Sequence, residues 1–191
     1  LITLTNYALE NHNDIDIVVW PETAVVPSFN HYYAEENSNR KMMITALVNY
    51  FQSKNCNFVI GNAFSTGSKN YNSALFFKNK QNIVPPRPEV YSKTKLVPFS
   101  EYLPFGVKSK FLENKFNFHF WDKGENVLVF EDKTFSFGTP ICFEDTFDYV
   151  CRKMNRLGAD IFVNVINDSW GKSLVCQNQH LLLLEEQHLK Q

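Results

Sequence analysis

The chain has 191 residues, 44% of them hydrophobic and 20% charged, which is enough for one domain with a real core and excludes a disordered segment. With 19 basic and 20 acidic residues and a net charge of −1, no electrostatic footprint for a nucleic-acid partner exists. Cys56, Cys142, Cys151 and Cys176 form no CxxC pair and the five histidines no HxH or HExxH, so neither a metal nor a disulfide framework is expected.

In chain order, "TLTNYALENHND" reads as a helix leading into the strand "IDIVVW", after which "PETAVVPSFN" breaks out as a loop. "RKMMITALVNYFQSKN" follows as a helix with positions 43, 44, 47, 48 and 51 on one apolar face, and it feeds the strand "CNFVIGNAF". "YNSALFF" is a strand after the turn "STGSKN", and "PPRPE" marks an irregular connection before "VYSKTKLVPF". "FLENKFNFHFW" has no single period. "TFSFGTPI" alternates like a strand, and "EDTFDYVCRKMNRLGAD" has helical spacing at Phe147, Val150, Cys151, Met154 and Leu157. The strand "DIFVNVI", a loop "NDSWGKS" and a last helical pattern complete the chain. Helices alternating with strands predict an α/β class with layered packing and no second domain.

No apolar run approaches the roughly 20 residues needed to cross a bilayer. The opening "LITLTNYALE" carries no signal-peptide pattern, and the closing "QHLLLLEEQHLKQ" stops without a glycine cap or proline, so the chain is expected to be part of something longer.

Three apolar strands end in a reactive residue type: "IVVWPE" at Glu22, "VYSK" at Lys93 and "TPIC" at Cys142. Groups at the carboxyl ends of neighbouring strands in α/β proteins converge on one crevice. A glutamate can take the thiol proton, a lysine can stabilise thiolate and oxyanion, and the cysteine can carry an acyl group. Taken singly, Glu22 and Lys93 read as solvated charges and Cys142 as a packing residue. Cys142 also stands where a strand hands over to a helix, and the positive end of a helix dipole favours thiolate.

The phrases "VVWPETA" (18–24), "YSKTKLVPFSEYLPFG" (91–106), "ICFED" (141–145), "GADIFVNVINDSW" (158–170) and "QH" (179–180) resemble, in order, those of the carbon-nitrogen hydrolase (nitrilase) superfamily, and within it the bacterial apolipoprotein N-acyltransferase family. The resemblance covers nearly the whole chain. It implies a nitrilase-like α-β-β-α sandwich, truncated at both ends, in a single partial domain over 1–191, with flanking membrane helices outside the chain. It implies Glu22 as general base, Lys93 as catalytic cation, with Lys95 as the alternative, and Cys142 as the acyl-carrying nucleophile. Alternation along the strand puts Lys95 on the same face as Lys93.

Glu101 resembles the superfamily's second glutamate, with an exposed loop carboxylate as the plain alternative. Glu144 matches an acidic family position or is simply a first-turn helix carboxylate. Trp170, with Asn167 and Asp168, matches the pocket loop after the last strand or forms an Asx turn with a packed tryptophan. Phe116, Phe118, Phe120 and Trp121 belong either to an apolar flap or, on the sequence alone, to an alternating core strand. His180 reads as packing support. One departure is that Gly171 directly follows Trp170, where the family has an aromatic residue between them. A second is that a strand before the first helix, and those after the last, are missing.

The implied activity is transfer of an acyl chain from a phospholipid donor to the N-terminal cysteine α-amine of a diacylglyceryl apolipoprotein. It needs no cofactor and takes place on the periplasmic face of a bacterial inner membrane. Two alternatives are a soluble nitrilase-like amidase acting on a small amide and an inactive remnant.

Overall fold

The computed structural model describes residues 1–34, 39–103 and 120–167. Helix α1 (Ile2–Asn11) leads into strand β1 (Ile17–Val25), and a 3-10 turn (Phe29–Tyr33) precedes helix α2 (Asn39–Gln52). Strands β2 (Asn57–Thr66), β3 (Lys69–Phe77) and β4 (Glu89–Ser92) follow, then β5 (Phe130–Glu131) and β6 (Ser136–Gly138). A second 3-10 turn (Cys142–Thr146), helix α3 (Asp148–Arg156) and β7 (Ile161–Phe162) complete the described elements.

Two sheets form, one ordered β1-β2-β3-β4 and one β5-β6-β7. In the first, β1 runs parallel to β2, while β2-β3 and β3-β4 are antiparallel; in the second, β5-β6 is antiparallel and β6-β7 parallel. The period-two alternation of side chains explains how two faces are built from one apolar run. Phe58, Ile60, Leu75 and Phe77 point to one cluster, which they share with Ile44, Leu47, Val48 and Phe51 of α2. Their neighbours Val59, Ala74 and Phe76 point to another, shared with Phe130 and Phe137 of the second sheet and Val150 and Met154 of α3. Phe76 joins the sheets, its ring centroid 5.4 Å from Phe130 and 5.0 Å from Phe137. On β6, Gly138 faces α3, where an added Cβ would lie 2.7 Å from the Met154 sulfur. Helix, sheet, sheet and helix therefore stack as the expected α-β-β-α sandwich.

Three expectations are corrected in detail. The stretch after Trp20 is not simply a loop, because β1 continues to Val25 through a bulge: Trp20 pairs with Ile60 and Val25 with Asn62. The buried Asn62 side chain re-ties the chain, donating to the Val25 and Pro27 carbonyls at 2.6 and 3.0 Å and accepting the Phe29 N–H at 3.3 Å. On α2, Met43 is exposed and the buried stripe is Ile44, Leu47, Val48 and Phe51, at the i, i+3, i+4, i+7 spacing of one helix face. Phe120 and Trp121 are half-buried and lie outside any strand, while Phe116 and Phe118 fall outside the described residues. Among the described residues no helix is long and apolar enough to cross a membrane.

Candidate active site

Glu22 enters the site from the β1 bulge. Pro21 and Glu22 pass so close over Gly61 of β2 that a Cβ there would stand 2.3 Å from the Pro21 carbonyl oxygen and 2.5 Å from the Glu22 Cα. Any side chain at position 61 would push the carboxylate away. Thr23 follows at φ 49, the turn that brings the bulge back to the sheet.

Lys93 lies just beyond β4, held by its backbone. Its N–H donates to the Asn72 carbonyl at 2.8 Å and its own carbonyl accepts from the Gly124 N–H at 2.8 Å. Gly124 is again a contact that only glycine permits, since a Cβ would meet the Ser92 oxygen at 2.1 Å.

Cys142 stands at the turn after β6. Ile141 bridges Val165, and the Cys142 N–H donates to the Val165 carbonyl at 3.0 Å. Its φ of 51 makes it a sharp elbow in the left-handed region, uncommon for a residue with a Cβ and a form of strain that clusters at functional sites. The element that starts here is a five-residue 3-10 turn, and the α-helix begins only at Asp148. The expected helix-dipole effect on the thiol is therefore corrected: the thiol sits on an elbow and not at an α-helix N-terminus.

These elements bring Glu22, Lys93, Glu101 and Cys142 together, all buried. Lys93 Nζ is 2.8 Å from Glu101 Oε1 and 3.9 Å from Glu22 Oε1. The Asn72 side-chain amide donates to Glu22 Oε1 at 2.6 Å and to Glu101 Oε1 at 3.3 Å. Glu101 is anchored at its other oxygen by the Val97 N–H at 2.8 Å, so it is not an exposed loop carboxylate. The Cys142 thiol lies beside the Glu22 carboxylate and favours its ionised form, and the Phe143 backbone favours the thiolate.

The electrostatics suit a proton relay. Burial pushes the Glu22 carboxyl above its ordinary value, against the pull of Lys93 and the Asn72 amide. The Cys142 thiol is pushed up to about 12, by burial first and the Glu22 charge second, with Lys93 opposing. Burial alone would lower the Lys93 ammonium, but Glu101, Cys142 and Glu22 outweigh it and raise it, so the lysine stays charged. The thiol is therefore held neutral beside an ammonium and a carboxyl group that lies close to both.

Glu144 is fully buried and reaches across to the strand that carries Lys93. It accepts from the Thr94 N–H (2.7 Å), the Thr94 hydroxyl (2.8 Å), the Lys95 N–H (3.0 Å), the Tyr91 hydroxyl (3.0 Å) and the Ile141 N–H (3.1 Å). Burial raises its pKa and these donors pull the other way. One carboxylate thus ties the Cys142 elbow to the Lys93 segment. The clasp also redirects Lys95. With β4 ended at Ser92, strand alternation no longer applies, and Lys95 Nζ sits 4.8 Å over the Tyr149 ring while Lys93 occupies the site. Asn167 reaches the site weakly, its side-chain amide 3.4 Å from the Glu22 carbonyl. Asp145, buried one residue beyond Glu144, accepts from the Asn164 amide. Trp170, Asp168, Cys176 and His180 lie outside the described residues. Cys56 and Cys151 are buried free thiols within the packing. Among the described residues no group of three His, Cys, Asp or Glu side chains could hold a metal ion.

Sequence reasoning missed Asn72, Gly61 and Gly124. A glycine inside the apolar strand "FVIGNAF" and an asparagine where "YNSALFF" becomes buried were the available signals.

Two stacked sheets with covering helices, and an elbow cysteine facing a glutamate and a lysine, define the nitrilase-like class of α/β protein. The chain belongs to the carbon-nitrogen hydrolase family, whose model matches residues 1–189. It is 43% identical over 195 residues to "Apolipoprotein N-acyltransferase 1" of Treponema pallidum (strain Nichols), an alignment covering 95% of this chain and 36% of that protein. It is 38% identical over 201 residues to "Apolipoprotein N-acyltransferase 1" of Treponema denticola, covering 95% of this chain and 37% of the relative. The chain thus spans little more than a third of the curated relatives it matches. Among solved structures, Nit3 of Saccharomyces cerevisiae, a member of branch 10 of the nitrilase superfamily, superposes with a TM-score of 0.62 at 18% identity. That match covers 96% of this chain and 61% of Nit3, and it shows a shared fold.

Proposed function

We propose that this chain is the catalytic part of an apolipoprotein N-acyltransferase, moving an acyl chain from a phospholipid to the α-amine of a lipoprotein's N-terminal cysteine. The observation that carries the chemistry is the buried grouping of the left-handed Cys142 elbow with Glu22, Glu101 and the Lys93 ammonium. The choice of transfer over amide hydrolysis is supported by the likeness to the two treponemal relatives over 95% of the chain.

In the first half-reaction Glu22 takes the Cys142 proton and the sulfur attacks the ester carbonyl. The Lys93 ammonium stabilises the tetrahedral oxyanion. The carbon–oxygen bond to the lysophospholipid breaks, its oxygen takes the proton from Glu22, and a thioester remains on Cys142. In the second, the acceptor amine attacks the thioester and loses a proton to Glu22. The carbon–sulfur bond breaks, the amide is released and the thiolate regains a proton. Glu101 holds Lys93 in place throughout, and the domain works at a membrane surface beside parts of the protein outside this chain.

The test is to give the purified protein, in phospholipid vesicles, a diacylglyceryl-cysteine peptide with a free amine. The expected result is N-acyl peptide and lysophospholipid in equal amounts. Release of free fatty acid with no acyl peptide would favour the hydrolase reading, and no turnover at all the inactive one.

A further inference from the structure

The role of Glu22 depends on a residue that has no acid–base chemistry of its own. Asn72 of β3 touches three of the four site groups: its side-chain amide nitrogen lies 2.6 Å from Glu22 Oε1 and 3.3 Å from Glu101 Oε1, and its backbone carbonyl accepts the Lys93 N–H at 2.8 Å. The amide orientation is fixed by chemistry. Both neighbours are carboxylates, which only accept when ionised, so the NH2 end must face them and the carbonyl end must turn away. The carbonyl oxygen is accordingly buried with no hydrogen-bond partner in the structure. A buried asparagine that leaves its own acceptor unpaired while donating to two carboxylates is costly as packing and explicable as placement.

The geometry shows why placement is needed. Two carboxylates share one ammonium, and that ammonium is closer to Glu101 (2.8 Å) than to Glu22 (3.9 Å). Without a second donor Glu22 would be repelled by Glu101 and only loosely held by Lys93. We propose that Asn72 is the positioning residue for the general base: its amide group holds the Glu22 and Glu101 carboxylates together beside Lys93 and so keeps Glu22 on the Cys142 thiol. This rests on the reading of Glu22 as the base and Cys142 as the nucleophile.

The groups that face Glu22 are Asn72 from β3, Lys93 and Glu101 from the segment after β4, and Cys142 from the elbow after β6. Of these, Lys93, Asn72 and Cys142 favour its ionised form, and Glu101 opposes it. Loss of the amide therefore makes Glu22 harder to ionise, and a carboxylate in its place makes it harder still.

The test uses alkylation of Cys142 by iodoacetamide, read by peptide mass across pH, in wild type and in the Asn72→Ala, Asn72→Asp and Glu22→Gln variants. No acyl donor or acceptor is needed. The expected wild-type profile has an acid limb that Glu22→Gln abolishes. Asn72→Asp, nearly isosteric, should move that limb to higher pH and lower the rate on it by roughly tenfold, and Asn72→Ala should move it the same way but less. A merely structural role for Asn72 would lower the melting temperature without moving the limb. If Glu22→Gln alters the profile and both Asn72 variants leave the limb in place, the inference is overturned. If Glu22→Gln itself leaves the profile unchanged, the reading of Glu22 as the base fails instead. The neutral, smaller alanine variant keeps the comparison usable should the aspartate variant fold poorly.

Discussion

At the scale of single residues, the two lysines of "YSKTKL" divide the labour in a way their sequence spacing does not reveal. Lys93 is buried against Glu101 and Glu22, and Lys95 is held over Tyr149. Lys93→Ala removes the only cation that those two carboxylates contact among the described residues, so acyl transfer should fall by roughly 100-fold or more. Lys95→Ala should cost less than about tenfold, because it removes a ring contact worth about 1 kcal/mol. Steady-state transfer rates for the two variants decide the matter, and a larger loss at Lys95 would assign the cation to the wrong residue. Glu144 makes a different kind of claim, one about stability. Glu144→Ala strands the donors of Tyr91, Thr94, Lys95 and Ile141 in a buried space, an expected loss of about 3–5 kcal/mol in urea unfolding. A loss below about 1 kcal/mol would show that the clasp does not hold the elbow to the lysine segment.

At the scale of elements, the site is made by irregularities in otherwise regular strands. The β1 bulge lifts Glu22 over Gly61, and the left-handed Cys142 turns the chain sharply after β6. Gly61→Ala places a methyl group where the Pro21 and Glu22 backbone now lies, so the bulge must move by around an ångström. A displacement of that size costs about 100-fold in turnover. The expected signature is loss of transfer with the fold intact by circular dichroism, and wild-type turnover would contradict the close approach. The same irregularities mark the limit of what the sequence discloses. Period-two runs such as "FVIGNAF" and "YNSALFF" carry the sheet faces directly, and apolar strands that end at Glu22, Lys93 and Cys142 foretell a crevice with a carboxylate, an amine and a thiol. The bulge was hidden because Pro21 reads as a strand breaker, and its rescue comes from Asn62, some forty residues away in sequence. The clasp was hidden for a similar reason: a glutamate two residues after Cys142 is equally at home in a helix's first turn, and four of its five donors come from residues 91–95, about fifty residues away in sequence. Strand β5 is too short to show a period.

At the scale of the whole molecule, the buried charges give the protein a pH response whose sign follows from the site. Glu22 and Glu144 both have folded values raised above 4.5, so the native state binds their protons more tightly than the unfolded chain does. Their contribution to stability is therefore most favourable below 4.5 and declines as pH rises through the folded values. Lys93, raised above 10.5, acts in another window, contributing stability below 10.5 that is lost as pH rises through its folded value. Glu22→Gln should remove part of the first decline, so its melting temperature relative to wild type should climb between pH 4.5 and neutrality; a constant difference would mean that Glu22 is not ionising against burial. The proposed function turns on one chemical event, the loading of Cys142. The most direct measurement is peptide mass analysis of the purified protein after incubation with phospholipid vesicles and no acceptor. The expected result is one acyl group on Cys142, removed by hydroxylamine as a thioester must be, discharged by a diacylglyceryl-cysteine peptide, and missing from Cys142→Ala and Lys93→Ala. An adduct on Cys56 or Cys151, or none at all in a folded protein that still transfers acyl chains, would contradict the account.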